Sequence, residues 1–93
     1  MTSRQSPRDE EEAAAFKGMG HAITIIRERR DMDREELASK CEMAPVELEE
    51  IERGEFDEPW GDLRVVANGL DIPLPALLME AEGRSGGGGR RGR

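Results

Sequence analysis

The chain has 93 residues, of which 35% are hydrophobic and 38% charged, with a formal net charge of −7. Such a chain makes one small domain that buries about 60 to 65% of its unfolded surface, which excludes a large enclosed substrate cavity. The charge is uneven: residues 1–16 set Arg4 and Arg8 against Asp9, Glu10, Glu11 and Glu12 (net −2), residues 17–82 hold eight basic groups against seventeen acids (net −9), and residues 83–93 hold four Arg and no acid (net +4). Cys41 is the only cysteine, so an internal disulfide is excluded and a reducing, cytoplasmic setting is expected. No apolar run approaches ~18 residues and no signal peptide opens the chain, so no membrane association is expected.

Residues 1–5 are polar, and Ser6-Pro7 supplies an N-cap and first-position pair that starts a helix, with Asp9 completing an approximate capping box. Asp9 to Glu12 suit the positive end of that helix, and Arg27, Arg29 and Arg30 its negative end. Gly18 and Gly20 each cost ~1 kcal/mol inside a helix, so a hinged arm followed by a shorter helix over about 20–30 is the alternative. Met19, Ile23 and Ile26 share one face. Asp33 caps a second helix, with Glu36 three residues later to close a capping box, and Leu37, Ala38 and Cys41 form its inner face. A short turn through Glu42, Met43 and Ala44 leads to Pro45 at the start of a third helix, where Leu48 and Ile51 face inward and Gly54 ends the run.

The loop from Glu55 to Pro59 precedes a fourth helix with Trp60, Leu63, Val66, Ala67 and Leu70 on one stripe. Residues Leu74 to Glu82 read as a short fifth helix, and the Gly/Arg-rich residues 83–93 as a disordered tail. The expected core is Ile23, Ile26, Leu37, Met43, Leu48, Ile51, Trp60, Leu63, Ala67 and Leu70.

Arg27, Leu37-Ala38 ten residues on, Ile51-Glu52-Arg53-Gly54, and then Leu63, Ala67 and Leu70 at helical spacing resemble the phage repressor and Cro group (XRE-type) of helix-turn-helix domains over about residues 19–80. The resemblance implies an all-α, compact five-helix repressor-like domain over residues 16–82, with flexible tails. Residues 1–15 would be a polar, acidic arm or an extension of helix 1. It also implies an ion pair between Arg27 and Glu52 tying helix 1 to helix 3, since either charge alone is costly to desolvate.

Proteins of this group lay helix 3 in the major groove of double-stranded DNA. The resemblance thereby implies a DNA-binding transcriptional regulator with a recognition helix at about 45–53 and contacts from Arg34, Ala44, Val46, Glu47 and Glu50. Arg34 stands where the group has a phosphate- or base-binding Gln. Lys40 and Arg53 would be auxiliary phosphate contacts in this arrangement. The chain departs from the pattern in charge: Ala44 replaces a capping Ser or Thr, Glu47 and Glu50 can accept only from a cytosine amine, Val46 can touch only a thymine methyl, and the loop Glu55-Phe56-Asp57-Glu58 would repel phosphate. A free-standing DNA binder ordinarily presents a basic face.

A protein-interaction module on the same fold is therefore the alternative, with an acidic face at Glu47, Glu50 and Asp57 suited to a basic protein partner. No catalytic residue, metal site or cofactor is expected, because His21 is the only histidine and neither it nor Cys41 has a base or orienting partner in the pattern. Leu74, Leu77, Leu78 and Met79 on helix 5 either close the domain's open end or in part face a second subunit, with Leu74, Leu77 and Leu78 as the homodimer surface, and Ile25 either joins that interface or packs under the N-terminal arm.

Overall fold

The structure is a computed structural model that describes residues 7–85, with side chains described for residues 10–83. Those residues form five helices and no strand: α1 (Pro7–Arg29), α2 (Arg34–Lys40), α3 (Pro45–Glu52), α4 (Pro59–Leu70) and α5 (Leu74–Ser85). The Ser6 cap and the tail beyond Ser85 lie outside the described residues.

Local chemistry explains where the helices begin. Asp33 accepts the Glu36 N–H at 2.8 Å and caps α2. Only this half of the expected capping box forms, as no bond returns from the Glu36 side chain. Ala44 has no cap to offer α3, so the reciprocal half acts alone there: the Ala44 N–H donates to Glu47 Oε1 at 2.9 Å. Proline stands at the start of α3 and of α4.

The helix ends share one device. Asp31, Glu42, Gly54 and Asp71, which follow α1, α2, α3 and α4, all have positive φ (56°, 58°, 90° and 63°). In each case the next residue's N–H reaches back to a carbonyl in the last turn: Met32 to Arg27 (3.1 Å), Met43 to Ala38 (3.0 Å), Glu55 to Glu50 (2.9 Å) and Ile72 to Ala67 (3.0 Å). These are Schellman terminations, and the apolar residue that follows three of them, Met32, Met43 or Ile72, packs onto the core as the motif favours.

Helix α1 runs unbroken through Gly18 and Gly20. The reason is tertiary: a side chain at Gly20 would fall against the carbonyls of Ile51 and Glu52, so this position is where α3 closes on α1. Gly54 serves the same approach from the other side, combining φ of 90° with Lys17 backbone too near for any Cβ. Phe16 and Phe56 meet edge to face with ring centroids 5.4 Å apart, holding the loop after α3 on α1.

The core joins all five helices through Ala22, Ile23 and Ile26 of α1, Leu37 and Ala38 of α2, Leu48 and Ile51 of α3, Leu63, Val66, Ala67 and Leu70 of α4, and Leu77 and Ala81 of α5. Trp60 corrects the expected core: it is 59% exposed. It lies on the stripe of Leu63 and Ala67, but in the opening turn of α4, one turn before the first buried residue. Met43 is half-buried at the core's edge.

Helix α5 packs chiefly on α1. Leu77 is fully buried there, so of the three leucines considered for a subunit interface it belongs to the domain's own core. Leu74 and Leu78 are partly buried against that core, Ile25 is half-buried, and Met79 is 70% exposed. α5 also continues past Glu82 to Ser85, the last described residue, because a single Gly83 does not stop a helix. No described helix is long and apolar enough to cross a membrane.

Candidate nucleic-acid interface

Helices α2 and α3, joined by the turn Cys41–Ala44, form a helix-turn-helix unit. Leu37 and Ala38 anchor α2, and Leu48 and Ile51 anchor α3. Among the described residues no other element covers the opposite side of α3: Ala44, Pro45, Glu47 and Glu50 are exposed and Val46 is 58% exposed.

The back of the unit is held by a shared carboxylate. Glu52 closes α3 with a side chain only 4% exposed, and accepts Arg27 Nε at 2.8 Å and Arg34 Nε at 3.0 Å. Arg27 is itself 9% exposed at the side chain, reaches Glu52 a second time through Nη2 at 3.5 Å, and donates Nη1 to the Met32 carbonyl at 2.9 Å. Both charges of this pair have left water, which is tolerable because each has several partners. The third member, Arg34, is 42% exposed. It stands at the first position of α2, inside a three-residue network rather than alone on the surface. No sequence signal marks this, since a spacing of 18 residues between Arg34 and Glu52 is no local period.

The other basic groups differ in how far they are committed. Arg53 donates Nη1 to Glu49 at 3.4 Å and Nη2 to Glu55 at 3.2 Å, and the Glu55 hydrogen bond and charge hold its guanidinium protonated even more firmly than usual. Lys40 is exposed in the last turn of α2 and has no ion-pair partner among the described residues.

Between α3, the loop after it and α4 lies an open cleft of about 550 Å³. Six carboxylates line it, Glu42, Glu47, Glu50, Glu55, Asp57 and Asp62, and Met43, Ile51, Phe56 and Val65 supply its apolar surface. Glu47, Glu50 and Asp57 are thus brought to one cleft, whereas Asp62 was invisible as a member. Asp62 accepts the Asp57 and Glu58 N–H groups at 3.0 and 3.3 Å and so shapes the loop. No three of these acids converge to hold a metal ion among the described residues. Cys41 lies at the cleft's inner edge, donating its thiol to the Val65 carbonyl at 3.7 Å, and burial pushes its pKa up.

The chain matches no protein-family model and no curated protein sequence. Among solved structures it is similar to the clp gene regulator ClgR from C. glutamicum, with a TM-score of 0.69 and 28% identity over 74% of this chain and 90% of that one. The chain therefore has the all-helical, helix-turn-helix fold of a gene regulator.

Proposed function

We propose that the chain is a DNA-binding transcriptional regulator of the repressor/Cro (XRE) type that lays α3 in the major groove of double-stranded DNA and acts in the cytoplasm. The observation that carries this reading is the outer side of α3, which no other described element covers, in a fold that matches a gene regulator over 90% of that regulator's chain. In this reading Val46 touches a thymine methyl, and Glu50 accepts from a cytosine amine. Glu47 reads with the one carboxylate oxygen not used on the Ala44 N–H. Arg34 and Lys40 contact phosphate on either side, and Arg53 joins them only by leaving Glu49 and Glu55. A homodimer would place two such helices on a two-fold site, with Leu74, Leu78 and the exposed Met79 as the surface available for it.

A second reading has its own observation. The six-carboxylate cleft suits a basic protein segment, which would make the fold an interaction module with little specific DNA binding. Selection from a random duplex library at low and at physiological salt separates the two. Enrichment of one sequence family, weakened by Arg34→Ala and re-specified by Glu47→Gln with Glu50→Gln, supports the regulator. No duplex retained at low salt, together with capture of an Arg/Lys-rich peptide that charge reversal at Glu47, Glu50 and Asp57 abolishes, supports the module.

A further inference from the structure

We propose that Glu52 is a positioning residue that holds the Arg34 guanidinium ready for a backbone phosphate of bound duplex DNA, an inference that rests on the DNA-binding reading above. One carboxylate faces two guanidiniums in the Arg27–Glu52–Arg34 network, so the network keeps one uncompensated positive charge. Arg27 is spent: its Nε and Nη2 face Glu52, its Nη1 faces the Met32 carbonyl, and its side chain is 9% exposed. The surplus charge is therefore presented at Arg34, whose side chain is 42% exposed and whose Nε alone is used inward.

Among the described residues no other acid pairs with Arg34, whereas Arg29 is paired with Glu80 and Arg53 with Glu49 and Glu55. A guanidinium has five N–H donors in a planar fork. With Nε fixed on a buried carboxylate, the outer N–H groups keep a set orientation and match two phosphate oxygens. The anchor also spans the unit, because Arg34 opens α2 and Glu52 closes α3. A phosphate gripped here sets the register of α3 on the duplex, and side-chain freedom that binding would otherwise remove has already been lost on folding. Lys40 has no such tether.

The test uses the full chain and the duplex it selects, with affinity measured across a salt series and thermal melting measured in parallel. Arg34→Lys keeps the charge but cannot hold Glu52 and offer a planar fork together. It should melt near wild type, keep the salt slope, and bind on the order of tenfold more weakly. Arg34→Ala should lower the slope by ~0.9, the value for one phosphate. Glu52→Gln removes a negative charge, which on charge alone would tighten binding to DNA, yet the folded variant should bind more weakly. Arg34→Lys binding as tightly as wild type, or folded Glu52→Gln binding more tightly, would overturn the positioning role while leaving the DNA-binding reading intact. Should Glu52→Gln fail to fold, Arg34→Lys decides alone. Wild-type protein that retains no duplex at low salt overturns the DNA-binding reading and this inference with it.

Discussion

Substituting Gly20 with alanine sets helix propensity against tertiary packing, and the structure says which wins. In an isolated helix the change is worth ~1 kcal/mol in favour of alanine. Here the new Cβ would sit 2.6 Å from the Ile51 oxygen and 2.7 Å from the Glu52 carbonyl carbon, and nearer still to the Glu52 oxygen. Those are backbone atoms and cannot rotate away. Bringing the closest pairs out to ordinary contact requires α1 and α3 to part by about 0.8 Å or more.

That movement loosens the packing around Leu48 and Ile51, stretches the 2.8 Å Arg27–Glu52 contact, and resembles overpacking that costs about 1 to 3 kcal/mol or more. Three backbone contacts this close place the cost at the upper end of that range, so after the ~1 kcal/mol propensity gain the net loss should be about 2 kcal/mol, a fall in Tm of roughly 8 to 16 °C for a domain of this size. Gly61→Ala is the control: its nearest neighbour would be the mobile Glu58 carboxylate at 3.3 Å, so the propensity gain of up to ~1 kcal/mol should survive. Thermal melting by far-ultraviolet circular dichroism reads both. A Gly20→Ala protein that melts at or above wild type would refute the close approach of α1 to α3.

Removing Glu52 should destabilise more than removing Arg27, because Glu52 without Arg27 keeps Arg34, whereas Arg27 without Glu52 keeps only a carbonyl; breaking such a pair costs about 3 kcal/mol or more, and denaturant titration of Glu52→Ala, Arg27→Ala and the double variant should show the double variant losing less stability than the two single losses added together. Glu42 holds positive φ in the turn between α2 and α3, so Glu42→Gly should gain up to about 1 kcal/mol, and a loss in the same titration would contradict the left-handed turn. Burial raises the Cys41 pKa, so the folded state resists ionisation while the unfolded thiol ionises freely. Stability should be unaffected below the ordinary thiol range and fall as pH rises through it, and Cys41→Ala should remove that part of the alkaline slope. Trp60, the only tryptophan and 59% exposed, should emit like a solvated indole, be quenched readily by acrylamide and shift little on unfolding; a strongly blue-shifted native spectrum would place it in the core.

Five helices, with α2 starting near Asp33 and α3 at Pro45, are legible in the chain, because caps, prolines and apolar stripes act within one or two turns. The acidity of α3 and its loop is legible for the same reason, being a property of composition. The helix ends are less so: of the four left-handed terminating residues only Gly54 announces itself, since Asp31, Glu42 and Asp71 adopt that conformation only when the following chain has a core to pack against.

Trp60 and Leu77 show the limit of a stripe, which gives the direction a side chain faces but not how far the neighbouring helices extend. One is left outside and the other is enclosed by α1. At the candidate site, the resemblance in spacing to repressor-type domains names Arg27 and Glu52, whereas the joining of Arg34 to Glu52, the commitment of Arg53 to Glu49 and Glu55, and the gathering of Asp62 with Glu42 into one cleft come from tertiary structure. Side chains as far as 25 residues apart meet only after the helices have docked, and which charge then takes which partner depends on distances and burial that no local period encodes.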